Sequence, residues 1–450
     1  MHHLTMDMIA IKKYCHWVVE ETWVVWLEEP HRFVQLKEPA FFVFEQWASG
    51  QDPREIANNC MQRYDLPRKE AVKFTEEILS EIEKLYQEKK VGDKKKVQAG
   101  SRKTKTPELK FIEHLCWIGD KSIRFRYGSE EMEEAFRPLF EQFEAPSEPK
   151  DLSLKSLKEV GIEISVELYS RKGKWCIGIN GEEALAYPQE DWEHFHGAFY
   201  TELLNLLHGK KLEEWLGVFH ASAVVFQSKR VRDEGTKGGK DRETEGQRDG
   251  ETGETGENRA LIFVGESGAG KSTVAAILMA NGFRVLTDDF MPVGMRNMVG
   301  DEEKIEKNSE HKGGNTPFIY PMPTAISVKK NAIPILAKWY TSMEEELEDA
   351  AEEEDYETFL PLTVNTGDLS PIPTKAIFFI KYDPAVDFRL TRESNLEMMN
   401  AFLKHSWIAN NAAAAEAFLK WYFSLPLYSL VYSDTALLLK GLEEISSGTL

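Results

Sequence analysis

The stretch that most constrains the fold of this 450-residue chain is Leu261-Ile-Phe-Val-Gly265-Glu-Ser-Gly-Ala-Gly270-Lys271-Ser272-Thr273. The four apolar residues from Leu261 to Val264 read as a buried strand. Gly265 to Ser272 then fit G-x-x-x-x-G-K-[ST], the spacing of a phosphate-cradling P-loop. Gly265, Gly268 and Gly270 permit tight turns and let backbone approach phosphate closely. Backbone N–H groups at the start of the next helix, which continues through Val274 to Ala280, face an anion there, and the helix dipole favours it. Glu266, Ser267, Ala269 and Thr273 complete this nucleotide-binding loop. Lys271 is placed to reach the β and γ phosphates of ATP, and the Ser272 hydroxyl to take one position on Mg²⁺. A strand, a loop and a helix in that order point to an α/β fold.

Asn281-Gly282 stops the helix. Phe283 to Leu286 reads as a short strand, with Thr287-Asp288-Asp289 at its end. In a parallel α/β sheet, ligands bind at the carboxyl ends of strands. The two carboxylates therefore emerge beside the loop. One can hold Mg²⁺, and the other can accept a proton from an attacking hydroxyl. Adjacent residues at a strand end point in different directions, so the two do not share one task.

The run Gly-Glu-Ser-Gly-Ala-Gly-Lys-Ser-Thr, followed by Gly-Phe-Arg-Val-Leu-Thr-Asp-Asp, resembles the catalytic domain of HPr kinase/phosphorylase and its relatives. That family also carries a histidine on the strand before the P-loop strand, and Val218-Phe-His220-Ala-Ser-Ala-Val-Val-Phe226 fits that place. The resemblance implies an HPr kinase/PEP carboxykinase-like α/β domain. It implies Asp289 as catalytic base, Asp288 in the Mg²⁺ shell and His220 assisting. The loop that supplies a Mg-binding glutamate in true HPr kinases has no match after Asp289. The order of elements downstream is closer to HPr-kinase-related proteins.

In front of this part, residues 1–90 read as a compact module. His16 to Leu27 and Arg32 to Leu36 are strand-like, with Glu28-Glu-Pro-His31 as the turn between them. Three helices follow, over Pro39–Trp47, Arg54–Tyr64 and Arg68–Gln87, the second announced by Asp52-Pro53. A β-hairpin with three helices is a small winged-helix-like unit. It resembles the PqqD family, the peptide-recognition modules of ribosomal peptide modification systems. That resemblance implies a leader peptide added as a strand at the sheet edge. The rival is a DNA-binding winged helix. Against it, the third helix carries Glu70, Glu76, Glu77, Glu81 and Glu83, which repel phosphate.

Residues 91–108, basic and nearly free of apolar side chains, read as a linker. Residues 109–217 read as a small α/β subdomain. It has short strands around Gly119-Asp120, a helix over Glu131–Phe143 and a hairpin over Ile162–Ile179. Asp191–His208 and Leu212–Val218 read as helices. His194-x-His196 is a weak metal pair, because i and i+2 do not share a helix face. Residues 218–450 form the P-loop core. Within it, Ser228–Asn258 and Gly300–Thr316 are polar runs that cannot fold alone and read as disordered insertions.

The formal net charge of −20 argues against general nucleic-acid binding. The four cysteines, Cys15, Cys60, Cys116 and Cys176, form no C-x-x-C pair and fit reduced thiols in the cytosol. No segment approaches the roughly 18 apolar residues of a membrane span, and the start of the chain lacks signal-peptide character. A soluble cytoplasmic protein is expected, with a homo-oligomer left open.

These features together point to an ATP- and Mg²⁺-dependent kinase acting on a Ser or Thr hydroxyl of a ribosomally made precursor peptide held by the N-terminal module. Two alternatives stand beside it: a kinase for a small hydroxyl substrate such as a free amino acid, and a nucleotide-gated peptide-binding protein without phosphotransfer. Deleting Gly235 to Gly256 and joining the ends by a short turn should leave solubility and ATP affinity nearly unchanged, since the segment supplies no core. Isothermal titration of the purified variant checks this, and insoluble protein would count against the insertion reading.

Overall fold

A computed structural model describes residues 13–92, 104–105, 109–144, 163–226, 258–295, 316–364, 366–404, 406–408 and 411–447. The chain is mixed α/β with several sheets. The first sheet is antiparallel, in the order β1 (Tyr14–Val19), β2 (Thr22–Leu27), β3 (Arg32–Lys37). The apolar run His16–Leu27 predicts one strand, but the chain turns within it. Glu20 and Glu21 both adopt positive φ, 48° and 64°. Two left-handed residues in a row make a tight hairpin turn, and no Asn or Gly marks it in the sequence. The expected hairpin plus three helices is thus a three-stranded sheet plus three helices, Glu38–Ala48, Pro53–Tyr64 and Arg68–Gly92. The Asp52 side chain caps the second helix by accepting from the Arg54 backbone N–H. The five glutamates of the third helix, Glu70 to Glu83, are all exposed.

The stretch expected as linker carries structure at both sides. The third helix continues to Gly92, and β4 (Thr104–Lys105) pairs with a strand of the next sheet. That sheet also contains β5 (Ile112–Ile118), β6 (Lys121–Tyr127), β7 (Glu163–Arg171), β8 (Lys174–Ile179) and β9 (Glu182–Pro188), in the order β4-β9-β8-β7-β6-β5. The long helix Trp192–His208 buries Phe195, Phe199, Leu203 and Leu207 in the core of this layer. The expected helix Glu131–Phe143 ends at Phe136 and continues as two 3-10 turns, because Pro138 cannot extend an α-helical ladder.

Leu212–Val218, expected as helix, is a short 3-10 turn running into β10 (Trp215–Phe219). The expected single strand Val218–Phe226 is broken at His220. β10 pairs with β14 (Met291–Met295), whereas β11 (Ala221–Phe226) lies between β12 (Arg259–Val264) and β13 (Arg284–Thr287). The sheet continues through β15 (Pro317–Ile319). A separate pair is formed by β16 (Ile326–Lys329) and β17 (Glu357–Leu360). The long strand β18 (Ile372–Tyr382) runs parallel to β12 on one side and to β21 (Leu427–Tyr432) on the other. β19 (Phe388–Arg392) pairs with β21, and β20 (Trp407–Ile408) closes the far edge on β10. The expected insertions Ser228–Asn258 and Gly300–Thr316 lie outside the described residues, apart from their last residues.

Side chains alternate across this sheet. Leu261, Phe263 and Phe378 pack on the helix Lys271–Ala280, with Leu438 and Leu442 of the last helix. Ala223, Ile262 and Ile377 face Met399, Phe402, Phe418 and Tyr422 of the helices Asn395–Leu403 and Ala412–Ser424. Helices on both faces give a three-layered core.

The N-terminal sheet docks on one of these helical layers. Val24 is fully buried in that second cluster. The Phe33 and Phe418 rings are 5.5 Å apart, and Gln35 Nε2 donates to the Leu396 carbonyl at 2.9 Å. Among the described residues no helix is long and apolar enough to cross a membrane. Exposing one large apolar side chain from such a contact costs roughly 1.5–3 kcal/mol. Phe33→Asp in the full chain should therefore speed hydrogen exchange in Tyr14–Lys37 while leaving Lys271–Ala280 protected. Unchanged exchange in both segments would show that the docking face carries no stability.

Candidate functional site

The loop after β12 is held in one shape by two glycines. A Cβ on Gly265 would lie 2.9 Å from the Ile380 carbonyl oxygen. Gly270 has φ of 99°, and a Cβ there would lie 2.7 Å from the Tyr432 hydroxyl. Only glycine suits either position. The loop is also strapped from two sides. Lys404 Nζ donates to Glu266 Oε1 at 2.6 Å, and Lys329 Nζ donates to Ser267 Oγ at 3.0 Å. The Tyr382 N–H donates to the Ala269 carbonyl at 3.1 Å.

Beyond the loop, β11 decides what meets what. It is antiparallel to both neighbours, with Ala221 opposite Val264 and Ala223 paired with Thr287. Its beginning therefore lies beside the ends of β12 and β13. His220, just ahead of it, stands between Lys271 and Asp289. Lys271 Nζ donates to His220 Nε2 and to the Gly265 carbonyl, both at 3.1 Å. His220 Nδ1 is 3.0 Å from Asp289 Oδ1. An ammonium donating to Nε2 leaves the imidazole proton on Nδ1, facing the carboxylate. Lys271 is buried, and burial lowers its pKa, opposed by the charges of Asp289 and Asp288.

The two aspartates point apart, as their adjacency predicts. Asp289 adopts a left-handed φ of 66°, a conformation Asp tolerates better than most residues, and its side chain is exposed. Asp288 turns inward and is 5% exposed. Ser222 Oγ donates to Asp288 Oδ1, and the Ser272 hydroxyl adjoins the same carboxylate. Oδ2 is buried with no partner of good hydrogen-bond geometry among the described residues. Burial first, and then the neighbouring Asp289, raise the Asp288 pKa to about 6. An orphaned carboxylate oxygen next to a hydroxyl is a donor set that suits Mg²⁺. That ion takes one or two carboxylates and otherwise keeps water or phosphate oxygens.

His220, Gly268, Gly270, Lys271, Ser272, Thr273 and Asp289 line one cleft of about 580 Å³. Gly265, Glu266 and Ala269 line a second cleft on the other flank of the loop, and Ser267 borders both. The structure thus gathers the sequence-predicted residues around one loop. It adds others that the sequence did not single out. Ser222 sits two residues past His220 and points to the same end of the sheet. Lys329 and Glu357 come from the β16–β17 pair and line the first cleft. Tyr200 stacks on Phe290 with ring centroids 5.2 Å apart, beside the aspartates. Burial pushes its phenol pKa well up and lowers that of His196, one turn away. The histidine pair His194-x-His196 separates as expected for i and i+2. His194 Nδ1 is 2.5 Å from Asp191 on the exposed face, while His196 is packed against Phe136 and Tyr200. Among the described residues no group of three His, Cys, Asp or Glu converges as a metal site.

No protein-family model, curated protein or solved structure matches this chain.

The raised pKa of Asp288 has a cost for the ligand-free protein. Between about pH 4 and 6 the native state holds a proton that the unfolded state releases, so stability falls as pH rises through that window. Asp288→Asn cannot ionise. Without metal it should be more stable than the parent by roughly 1–3 kcal/mol above pH 6, with the difference vanishing near pH 4. Thermal melts across pH 4–8 check this, and a variant less stable at pH 7.5 would contradict it.

Proposed function

We propose that this protein is an ATP- and Mg²⁺-dependent kinase that phosphorylates a Ser or Thr hydroxyl of a peptide held by its N-terminal module. The observation that carries the reading is the convergence of Lys271, Ser272, Asp288, Asp289 and His220 at one end of the sheet around a glycine-shaped loop. The resemblances to HPr-kinase-like catalytic domains and to PqqD-like modules support it from the sequence side.

In this reading the backbone N–H groups of Gly268 to Ser272 face the phosphates, and the start of the helix adds its dipole. Lys271 supplies a positive charge for the β and γ phosphates. Ser272 and the free oxygen of Asp288 would hold Mg²⁺, which neutralises phosphate charge when bound. Asp289 takes the acceptor proton while the acceptor oxygen bonds to the γ phosphorus and the bridge to ADP breaks. His220, donating from Nδ1, holds the Asp289 carboxylate in place and is a positioning residue. On the N-terminal sheet, β1 and β3 are the outer strands to which a peptide strand could add. The acidic exposed face of the third helix speaks against nucleic acid as the ligand there.

Asp289→Asn keeps the side-chain shape and its tolerance of positive φ. It should bind Mg·ATP nearly as the parent does, yet transfer phosphate at least ~10²-fold slower, the usual size of a general-base contribution. Lys271→Ala should lose ATP affinity itself. Phosphate transfer from radiolabelled ATP to Ser- and Thr-containing peptides measures both. Full transfer by both variants would sink the kinase reading and leave a nucleotide-gated binding protein as the better account.

A further inference from the structure

The second cleft, of about 470 Å³, lies across the loop from the first. Its walls are the Gly265–Ala269 backbone, the end of β18 at Phe379 and Lys381, and the helix end at Ala401 and Lys404. Lys271, Ser272 and Asp289, the groups that handle phosphate in the proposed kinase, line the first cleft and not this one. The two clefts share His220, Ser267, Gly268 and Tyr382. They therefore meet at His220, whose Nδ1 is 3.0 Å from the proposed base.

One helix links the N-terminal module to the second cleft. Gln35 on β3 bonds to the carbonyl of Leu396, at the start of the helix Asn395–Leu403. Ala401, an exposed residue that lines the cleft, is five residues further along that helix, about 8 Å at the helical rise. An extended peptide added beside β3 covers such a distance in about three residues. Lys404, past the end of the same helix, pairs with Glu266 of the loop. One short helix thus joins the docked module, the cleft and the loop.

We infer that this second cleft is the acceptor site, receiving a Ser- or Thr-bearing peptide segment whose hydroxyl enters past His220 while the nucleotide occupies the first cleft. This inference rests on the kinase reading and gives it a direction: donor from one flank of the loop, acceptor from the other. Phe379 and Tyr382 supply apolar contact for the segment, and the Lys404–Glu266 pair at the rim offers charges of both signs.

Ala401 is exposed, so a larger side chain there narrows the cleft without entering the core. The test uses the full chain, Mg·ATP and a degenerate library of Ser/Thr peptides. Ala401→Trp should leave ATP affinity unchanged and raise the apparent KM for phosphorylated library members at least tenfold, with little change in kcat. Ala401→Cys should be alkylated by a maleimide at the same rate with and without Mg·ATP, read at position 401 by mass spectrometry. Protection by Mg·ATP, or weaker ATP binding in Ala401→Trp, would make the cleft a nucleotide subsite and overturn the inference. Peptide phosphorylation by Ala401→Trp equal to that of the parent would overturn it too, with the kinase reading intact. If the parent binds Mg·ATP but phosphorylates no peptide, the kinase reading fails first and the acceptor site falls with it.

Discussion

Asp288 keeps a carboxylate out of water with the Ser222 hydroxyl donating to one oxygen, the Ser272 hydroxyl alongside and the other oxygen left over. Burying an ionised group without full compensation is among the costlier things a fold can do. Lys271 is near enough to lower the Asp288 pKa, but burial and Asp289 outweigh it. The cost is tolerable because three strands over-determine the position. β11 sits between β12 and β13, so Ser222, the loop and Asp288 are delivered to one end of the sheet by backbone pairing. Unpaired buried polar groups of this kind persist only where the surrounding structure over-determines them.

The same pairing explains why His220 lies in the middle. A strand running opposite to both its neighbours starts where they finish. The residue before it therefore faces the loop on one side and the aspartate turn on the other. Lys271, His220 and Asp289 form a continuous line of contacts without being close in sequence. Lys271 is the buried end of this line and Asp289 its exposed end.

Packing between the two ends of the chain has a comparable consequence. The N-terminal sheet covers its inner face with its own helices and its outer face with the helices Asn395–Leu403 and Ala412–Ser424. Val24, fully buried in the second of these contacts, ties the module to the layer that flanks the loop. The module is therefore presented at a set distance from the clefts rather than left to find them through a linker.

Local chemistry made part of this legible in the sequence. G-x-x-x-x-G-K-S can be read as a pattern without tertiary context, because its spacing lies within eight consecutive residues. The strands around Gly119 follow from their apolar runs, whereas Asp288 and Asp289 part at a bend past the end of β13, where Asp289 takes a positive φ. The turn at Glu20-Glu21 was hidden, since its positive φ values are imposed by pairing in the sheet and not by residue type. The break at His220 was hidden for a related reason. Trp215–Phe219 and Ala221–Phe226 form one apolar run, and only their different partners, β14 and β12, divide it. Ser222, Lys329 and Glu357 come to the site through long-range strand pairing, which no spacing along the chain records. The sequence by itself determined which charged and hydroxyl groups stand on the glycine-rich loop and after the next strand. The tertiary structure decided which of them meet and which carboxylate is buried, because those depend on strand order and direction.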